Sequence, residues 1–250
     1  MSTYDPPQVL LAVDQNLGPI AVGMFIALSL TFVYFFEAIR LGFRHRAFSP
    51  PVAATLWFLP HDFSFVLRYD LWFNVYDHWW PKLWWIGLVA TVAIELFLLY
   101  QTIRYGREEL MPRASPAAFT GSMIGATVGA GAIWWVVKAS LDDGLFLTSF
   151  LLTIAWPIPF TTAMILRRQS RKGVSVLQQA VLAPMFLGLW SALWVMDPFF
   201  RSPGFIVLAA VSVAWAVFNV RLVLRAPVYE PEPIEAGTPA SLQPIGGTAR

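Results

Sequence analysis

Apolar runs close to twenty residues long recur along this chain, and they leave it few folds to choose from. A helix needs about 20 apolar residues to cross a hydrocarbon core of about 30 Å, and GFIVLAAVSVAWAVFNVRLVL at 204–224 is one such run. Seven segments of this kind are read at 17–39, 51–69, 83–104, 117–138, 145–166, 175–196 and 203–224, the second shortened and interrupted by Pro60. Lipid offers no hydrogen bonds to a bare backbone, so segments this apolar cross as helices. Composition agrees: 57% hydrophobic residues, 13% charged residues and a mean hydropathy of +0.60 exceed what one water-soluble core of this size hides. The expected architecture is all-α, a bundle of seven transmembrane helices over residues 1–226. The remaining stretch, 227–250, is rich in Pro, Gly and acidic residues and is expected to be a disordered tail without a catalytic role.

Charge placement gives the expected orientation. The first, third and fifth connections and the C-terminal segment carry 13 of the 17 basic residues, and the opposite connections hold only Arg68, Lys82, Lys138 and Arg201. Short loops rich in Arg and Lys stay cytoplasmic, so the N-terminus is expected outside and the C-terminus inside. No basic n-region or small-residue cleavage motif precedes the first run, so that span is expected to be retained. These features describe a multi-pass protein of the cell membrane whose constant partner is lipid. The net charge of +2 gives no reason to expect a nucleic-acid partner, and the absence of cysteine rules out disulfides, thiol nucleophiles and thiolate-held metals.

Against this background the stretch WFLPHDFSFVLRY at 57–69 stands out, because an ionisable group near the bilayer centre costs roughly 2.5–3.5 kcal/mol unless it faces a bundle interior or a cavity. Asp62 falls roughly 16 Å along its helix at 1.5 Å per residue, just past the midplane. Glu95 reaches a similar depth from the other side, so the two acids are expected to share a cavity in the outer half of the bundle. Helical spacing puts Phe58, Phe65 and Tyr69 on the face of Asp62. The same spacing puts Trp190 and Trp194 on the face of Asp197, which is expected to close the outer end of that cavity. His61 projects about 100° from Asp62, which leaves their pairing open and a relay role available. Pro60, lacking an N–H, leaves the Leu56 carbonyl without its usual partner. The run HWWPKLWW at 78–85 reads as an aromatic anchor at the membrane boundary.

From GFRHRAF at 42–48 through HDFSFV at 61–66 the chain resembles the integral-membrane terpene cyclases of fungal meroterpenoid and indole-diterpene pathways and their bacterial relatives. That family carries a local pattern of the type Asn-x-x-Trp-Glu-x-x-Tyr, and Phe58, His61, Asp62 and Phe65 occupy the corresponding positions, Asp62 at the catalytic acid. LRRQSRKGVS at 166–175 and TIRYGREEL at 102–110 are similar to the family's polar loop after helix five and to the end of its third helix. Two departures stand out. The seventh run has no acid where the family places a second aspartate, only Ser212 and Asn219, and the helix-two acid is Asp rather than Glu.

The resemblance implies a class II type cyclisation of a lipophilic prenylated substrate. Asp62 would protonate an alkene or epoxide without metal or other cofactor. Glu95 or Asp197 would position it, resupply its proton or remove one at the end, and His61 would relay. Phe58, Phe65, Tyr69, Trp190 and Trp194 would wall the substrate, where aromatic faces stabilise a cation. Two other classes remain open. WPIPFTTAMILRRQSRKGVS at 156–175 also resembles the Pro-Gln loop of small seven-helix transporters, although Phe160 stands where Gln would follow Pro159. A membrane scaffold has the same hydropathy. A retinal receptor would need a lysine in the last helix, and the three lysines are Lys82, Lys138 and Lys172.

Overall fold

A computed structural model describes residues 3–231, and among them every regular element is a helix. In chain order these are α1 (Pro6–Gln15), α2 (Leu17–His45), α3 (Val52–Val66), α4 (Trp79–Tyr105), α5 (Arg107–Leu110), α6 (Pro116–Leu141), α7 (Leu147–Ala155), α8 (Pro157–Arg168), α9 (Val176–Ala180), α10 (Leu182–Met196) and α11 (Pro203–Arg225). A π-helical turn at Leu71–Val75 follows α3, and a 3₁₀ turn at Pro198–Arg201 follows α10. Six helical stretches are long and apolar enough to cross a membrane: Leu17–His45, Trp79–Tyr105, Pro116–Leu141, Leu147–Arg168, Val176–Met196 and Pro203–Arg225. They fit a multi-pass membrane protein in contact with lipid. α3, with 15 residues, is about 22 Å long at 1.5 Å per residue and falls short of that length.

Helix ends follow local chemistry. Ser115 accepts from the Ala118 N–H with Pro116 at the first helical position of α6, and Ser175 caps α9 through the Gln178 N–H. Arg46, Asp142 and Gln169 turn the chain out of α2, α6 and α8 in the left-handed conformation. α3 passes through Pro60 and is finished by its neighbours. The Trp85 indole donates to the Val66 carbonyl (2.9 Å) and Lys138 Nζ to the Ser64 carbonyl (2.6 Å), so its last carbonyls are satisfied in an apolar setting.

Small residues decide which helices touch. A Cβ on Gly23 would lie 2.6 Å from the Gly188 carbonyl oxygen, so α2 and α10 meet backbone to backbone, as membrane helices with small interface residues do. At one end of the bundle Tyr4 hydrogen-bonds Asp143 and accepts from the Leu145 N–H (2.8 Å), and Arg68 donates to the Asp143 carbonyl (2.6 Å). At the other end Arg168 donates to Glu109 (3.0 Å) and to the Lys172 carbonyl (2.7 Å) and lies over the Phe48 ring. The start of the segment expected to be disordered is held here: the Pro227 carbonyl accepts from the Arg171 N–H (2.9 Å) and Tyr229 packs on His45. The rest of that segment, from residue 232, lies outside the described residues.

Candidate active site

Asp62 and Glu95 border one cavity of about 540 Å³ between α2, α3, α4, α7 and α10. Asp62 comes from the last turns of α3, one helical turn after Phe58, and both side chains are buried. Oδ2 of Asp62 lies 2.6 Å from the Thr91 hydroxyl, and Oδ1 lies 2.7 Å from Nδ1 of His61. Adjacent residues on a helix diverge by about 100°, yet these two side chains curl toward each other and pair. The other ring nitrogen of His61 sits 3.0 Å from the Thr153 hydroxyl, and its faces are closed by Trp134 (4.7 Å) and Phe146 (4.8 Å). His61 is thus a fully buried support behind Asp62 and does not border the cavity.

The Thr91 hydroxyl has one proton and two acceptors within reach, Oδ2 of Asp62 and the Leu88 carbonyl at 3.0 Å. When it donates to Leu88, the hydrogen bond to Asp62 needs the proton on the aspartic acid. When it donates to Asp62, Oδ2 carries no proton and accepts, as either the carbonyl oxygen of the acid or an oxygen of the carboxylate. Glu95, one turn beyond Thr91 on α4, faces the Asp62 carboxyl with its Oε2 buried and unpartnered. A buried carboxyl oxygen without a partner is costly.

The cavity wall is otherwise apolar and aromatic. Phe35 and Phe58 meet edge to face at 5.9 Å, Trp84 and Phe150 at 5.1 Å, and Trp80 stacks on Trp84 at 5.6 Å. Besides the tryptophan indoles, its polar side chains are Asp62, Glu95, Thr31, Tyr34, Thr91 and Thr153, and the described residues lining it include no Lys, Arg or His.

Other expected wall residues stand elsewhere. Phe65 is fully buried, packed on Phe146 at 4.4 Å behind the site. Tyr69 lies beyond the end of α3, half exposed, stacked on Phe73 at 4.2 Å. Its offset of seven residues assumes a helix that continues, and α3 stops at Val66. Asp197 does not close the cavity. It caps the 3₁₀ turn by accepting from the Phe199 N–H at 2.7 Å, where Pro198 ends α10. Trp190 and Trp194 share that location: Trp190 donates to the Phe200 carbonyl (3.1 Å) and Arg201 lies over the Trp194 ring.

Conversely, Trp79, Trp80 and Trp84, read from the sequence as a boundary anchor, line the cavity. The signal was present in the spacing. Trp80, Trp84, Leu88, Thr91 and Glu95 recur every three or four residues, one stripe of α4 that ends on the acid. Comparison with family models, curated proteins and solved structures gave no significant match.

Proposed function

We propose that the protein is a membrane-embedded cyclase that starts a carbocation cascade in a lipophilic prenylated substrate with a proton from Asp62. One observation carries the reading: a buried aspartate, held by His61 and Thr91 and faced by a second carboxyl, opens on an aromatic-walled cavity of about 540 Å³. The resemblance around Asp62 points the same way. Protonated Asp62 gives its proton to an alkene carbon or an epoxide oxygen. The alkene π pair or the breaking C–O bond leaves a carbocation, which the next double bond attacks. Aromatic faces stabilise the moving positive charge and keep water out. As Asp62 becomes an anion, the Thr91 hydroxyl turns from Leu88 to donate to it, so the new charge is met by a donor already in place. Glu95 returns a proton to Asp62 or takes the terminal proton from the last cation. The product has the substrate's mass.

The test compares lipid extracts of membranes with and without the protein after feeding polyprenylated quinols, phenols and their epoxides. A ring product of unchanged mass that disappears with Asp62→Asn supports the reading. Full activity in folded Asp62→Asn protein removes Asp62 from the donor role. The Pro-Gln-loop transporter reading has one observation of its own, the break at Pro157 inside Leu147–Arg168, and solute flux into proteoliposomes without product formation would favour it.

We further read α3 as a seventh crossing, with the arginine-rich end cytoplasmic and the N-terminus outside. Trp79 and His78 bond Asp14 in α1, so α4 starts at the end where α2 starts. Arg168, at the opposite end, reaches the Phe48 carbonyl just before α3. The chain therefore changes ends between residues 48 and 79, and α3 is the helix available to do it. Twelve of the 13 basic residues of the sequence argument, all but Arg250, which lies outside the described residues, gather at the Arg168 side of the topology, which supports its assignment to the cytoplasm.

A further inference from the structure

The cavity reaches the outer surface of the bundle sideways. On α2 its wall includes Leu17, Ala21 and Phe25, and on α4 Leu83, Gly87 and Ala90. These are two facing stripes at helical spacing, and all but Gly87 are largely exposed, Phe25 at 72% and Leu83 at 61%. A side chain that borders the cavity and is also exposed marks a rim.

The gap between the stripes is bounded at both ends. Toward the Arg168 end, Phe43 packs on Phe97 at 5.7 Å, the Gln101 amide donates to the Ile39 carbonyl at 3.1 Å, and Gly42 leaves room for Gln101 to cross. Toward the other end, the Trp79 indole and His78 bond Asp14 at 3.1 Å each. Between these ties α2 leans away from α4 onto α10 through its Gly23–Gly188 contact. What remains is a slot in the half of the bundle away from the arginines, facing lipid.

We propose that this slot is a lateral window through which an uncharged lipophilic chain passes from the bilayer into the cavity, its reactive end at Asp62 and its tail trailing between Phe25 and Ile86. The inference rests on the cavity being the substrate's binding place, and it does not require that the chemistry be cyclisation. Every rim side chain is apolar. Among the described residues the lining has two carboxyls and no basic residue to receive a diphosphate, which in an apolar setting needs several donors or cations. An aqueous route would have to pass the Asp14 tie and the buried face of α1 with Val9, Leu10 and Val13.

Gly87 is the place to test it. A Cβ there meets nothing within 4 Å, so a side chain is accommodated and projects into the slot. The chain has no cysteine, so Gly87→Cys can be modified alone. The protein is placed in phosphatidylcholine vesicles and mixed with vesicles carrying a diazirine derivative of geranylgeraniol. The initial rate of photolabelling on the 146–154 wall is then measured. A benzyl disulfide adduct at Gly87→Cys is expected to lower that rate roughly tenfold or more relative to the unmodified variant, and a thiol reductant to restore it. The same adduct at Gly125→Cys, on the open face of α6 where a Cβ also meets nothing, is expected to change nothing. Ala90→Cys on the same rim replaces Gly87→Cys if the latter does not fold. A rate unaffected by the adduct on a folded rim variant overturns the window. The diphosphate ester of the same chain is expected not to label the wall, and labelling equal to the alcohol's overturns the uncharged ligand. Labelling that the adduct blocks, with no ring product from any substrate, defeats the cyclase reading and leaves the window standing. Ring formation at full rate with the adduct in place does the reverse.

Discussion

Asp62 is held by two neighbours of different character, and their loss should be separable. Asp62→Asn keeps the volume and removes the transferable proton, so cyclisation is expected to fall by at least the 10²–10⁴-fold typical of general acid catalysis while the protein folds and binds. Thr91 touches Asp62 and acts through it. Thr91→Val, nearly isosteric, removes the hydroxyl that meets the new anion and is expected to cost about 10- to 100-fold in kcat, the range for a hydrogen bond to a charged group. Thr91→Ser should recover most of that loss, an outcome that a purely packing role for the methyl group would not give. Asp197→Asn, which keeps a capping side chain remote from the cavity, is expected to leave turnover and products unchanged. A second titratable contact lies outside the spans. Hydrogen bonds from Trp79, then from His78, hold the exposed Asp14 carboxyl below its ordinary value. A depressed carboxylate favours the bonded state above its ordinary value, and the tie is lost as pH falls through the lowered one. Hydrogen exchange at residues 76–80, corrected for intrinsic rate, should therefore be slower in the natural protein than in Asp14→Ala near neutral pH. The two should converge at acid pH, and convergence already at neutral pH would show that the tie does not hold this segment.

At the scale of the helix, the deciding contacts are where side chains are missing. Gly23→Val would put its Cβ 2.6 Å from the Gly188 carbonyl oxygen and 2.9 Å from Ser191 Oγ, and because α10 backbone cannot yield as a side chain tip can, a loss of at least about 1–3 kcal/mol is expected. Gly125→Ala, with open space around it, should be neutral or slightly stabilising. Thermal unfolding of both variants in the same detergent checks the contrast. The same distinction explains what the sequence could reveal. Runs of apolar residues declare helices, and the depths of Asp62 and Glu95 along theirs brought two acids to one level without any contact being known. Spacing also carried Phe58 correctly to the cavity. It misled for Tyr69, because helical spacing has no meaning past a helix end, and for Asp197, because a proline one residue later makes an aspartate a cap. It was silent on His61, whose partner depends on rotamers that Trp134 and Phe146 impose from distant helices.

For the whole molecule the quantity to test is the number of crossings: the sequence reads seven apolar segments, and six helices are both long and apolar enough to cross. The 15 residues of α3 are short for a core of about 30 Å, yet in the proposed topology they carry the chain from the Phe48 end to the Trp79 end. Its ends are satisfied inside the protein: Lys138 and Trp85 donate to the last carbonyls, and Trp156 donates to the Ala53 carbonyl near the start. A short helix whose termini are hydrogen-bonded by its neighbours can be surrounded by other helices at membrane depth, where a lipid-exposed one could not. Single cysteines in this cysteine-free chain allow the count to be measured with an impermeant maleimide. With α3 as a crossing, residues in 169–172 are expected to label only from the cytoplasmic side, and the exposed residues 142 and 77 only from the outside. Six crossings, with α3 returning to the side it left, would put residues 77 and 46 on one side of the membrane. Labelling of both from one side, whether by reagent added outside intact cells or only after permeabilisation, would remove α3 from the spans and with it the assignment of Asp62 to the outer half.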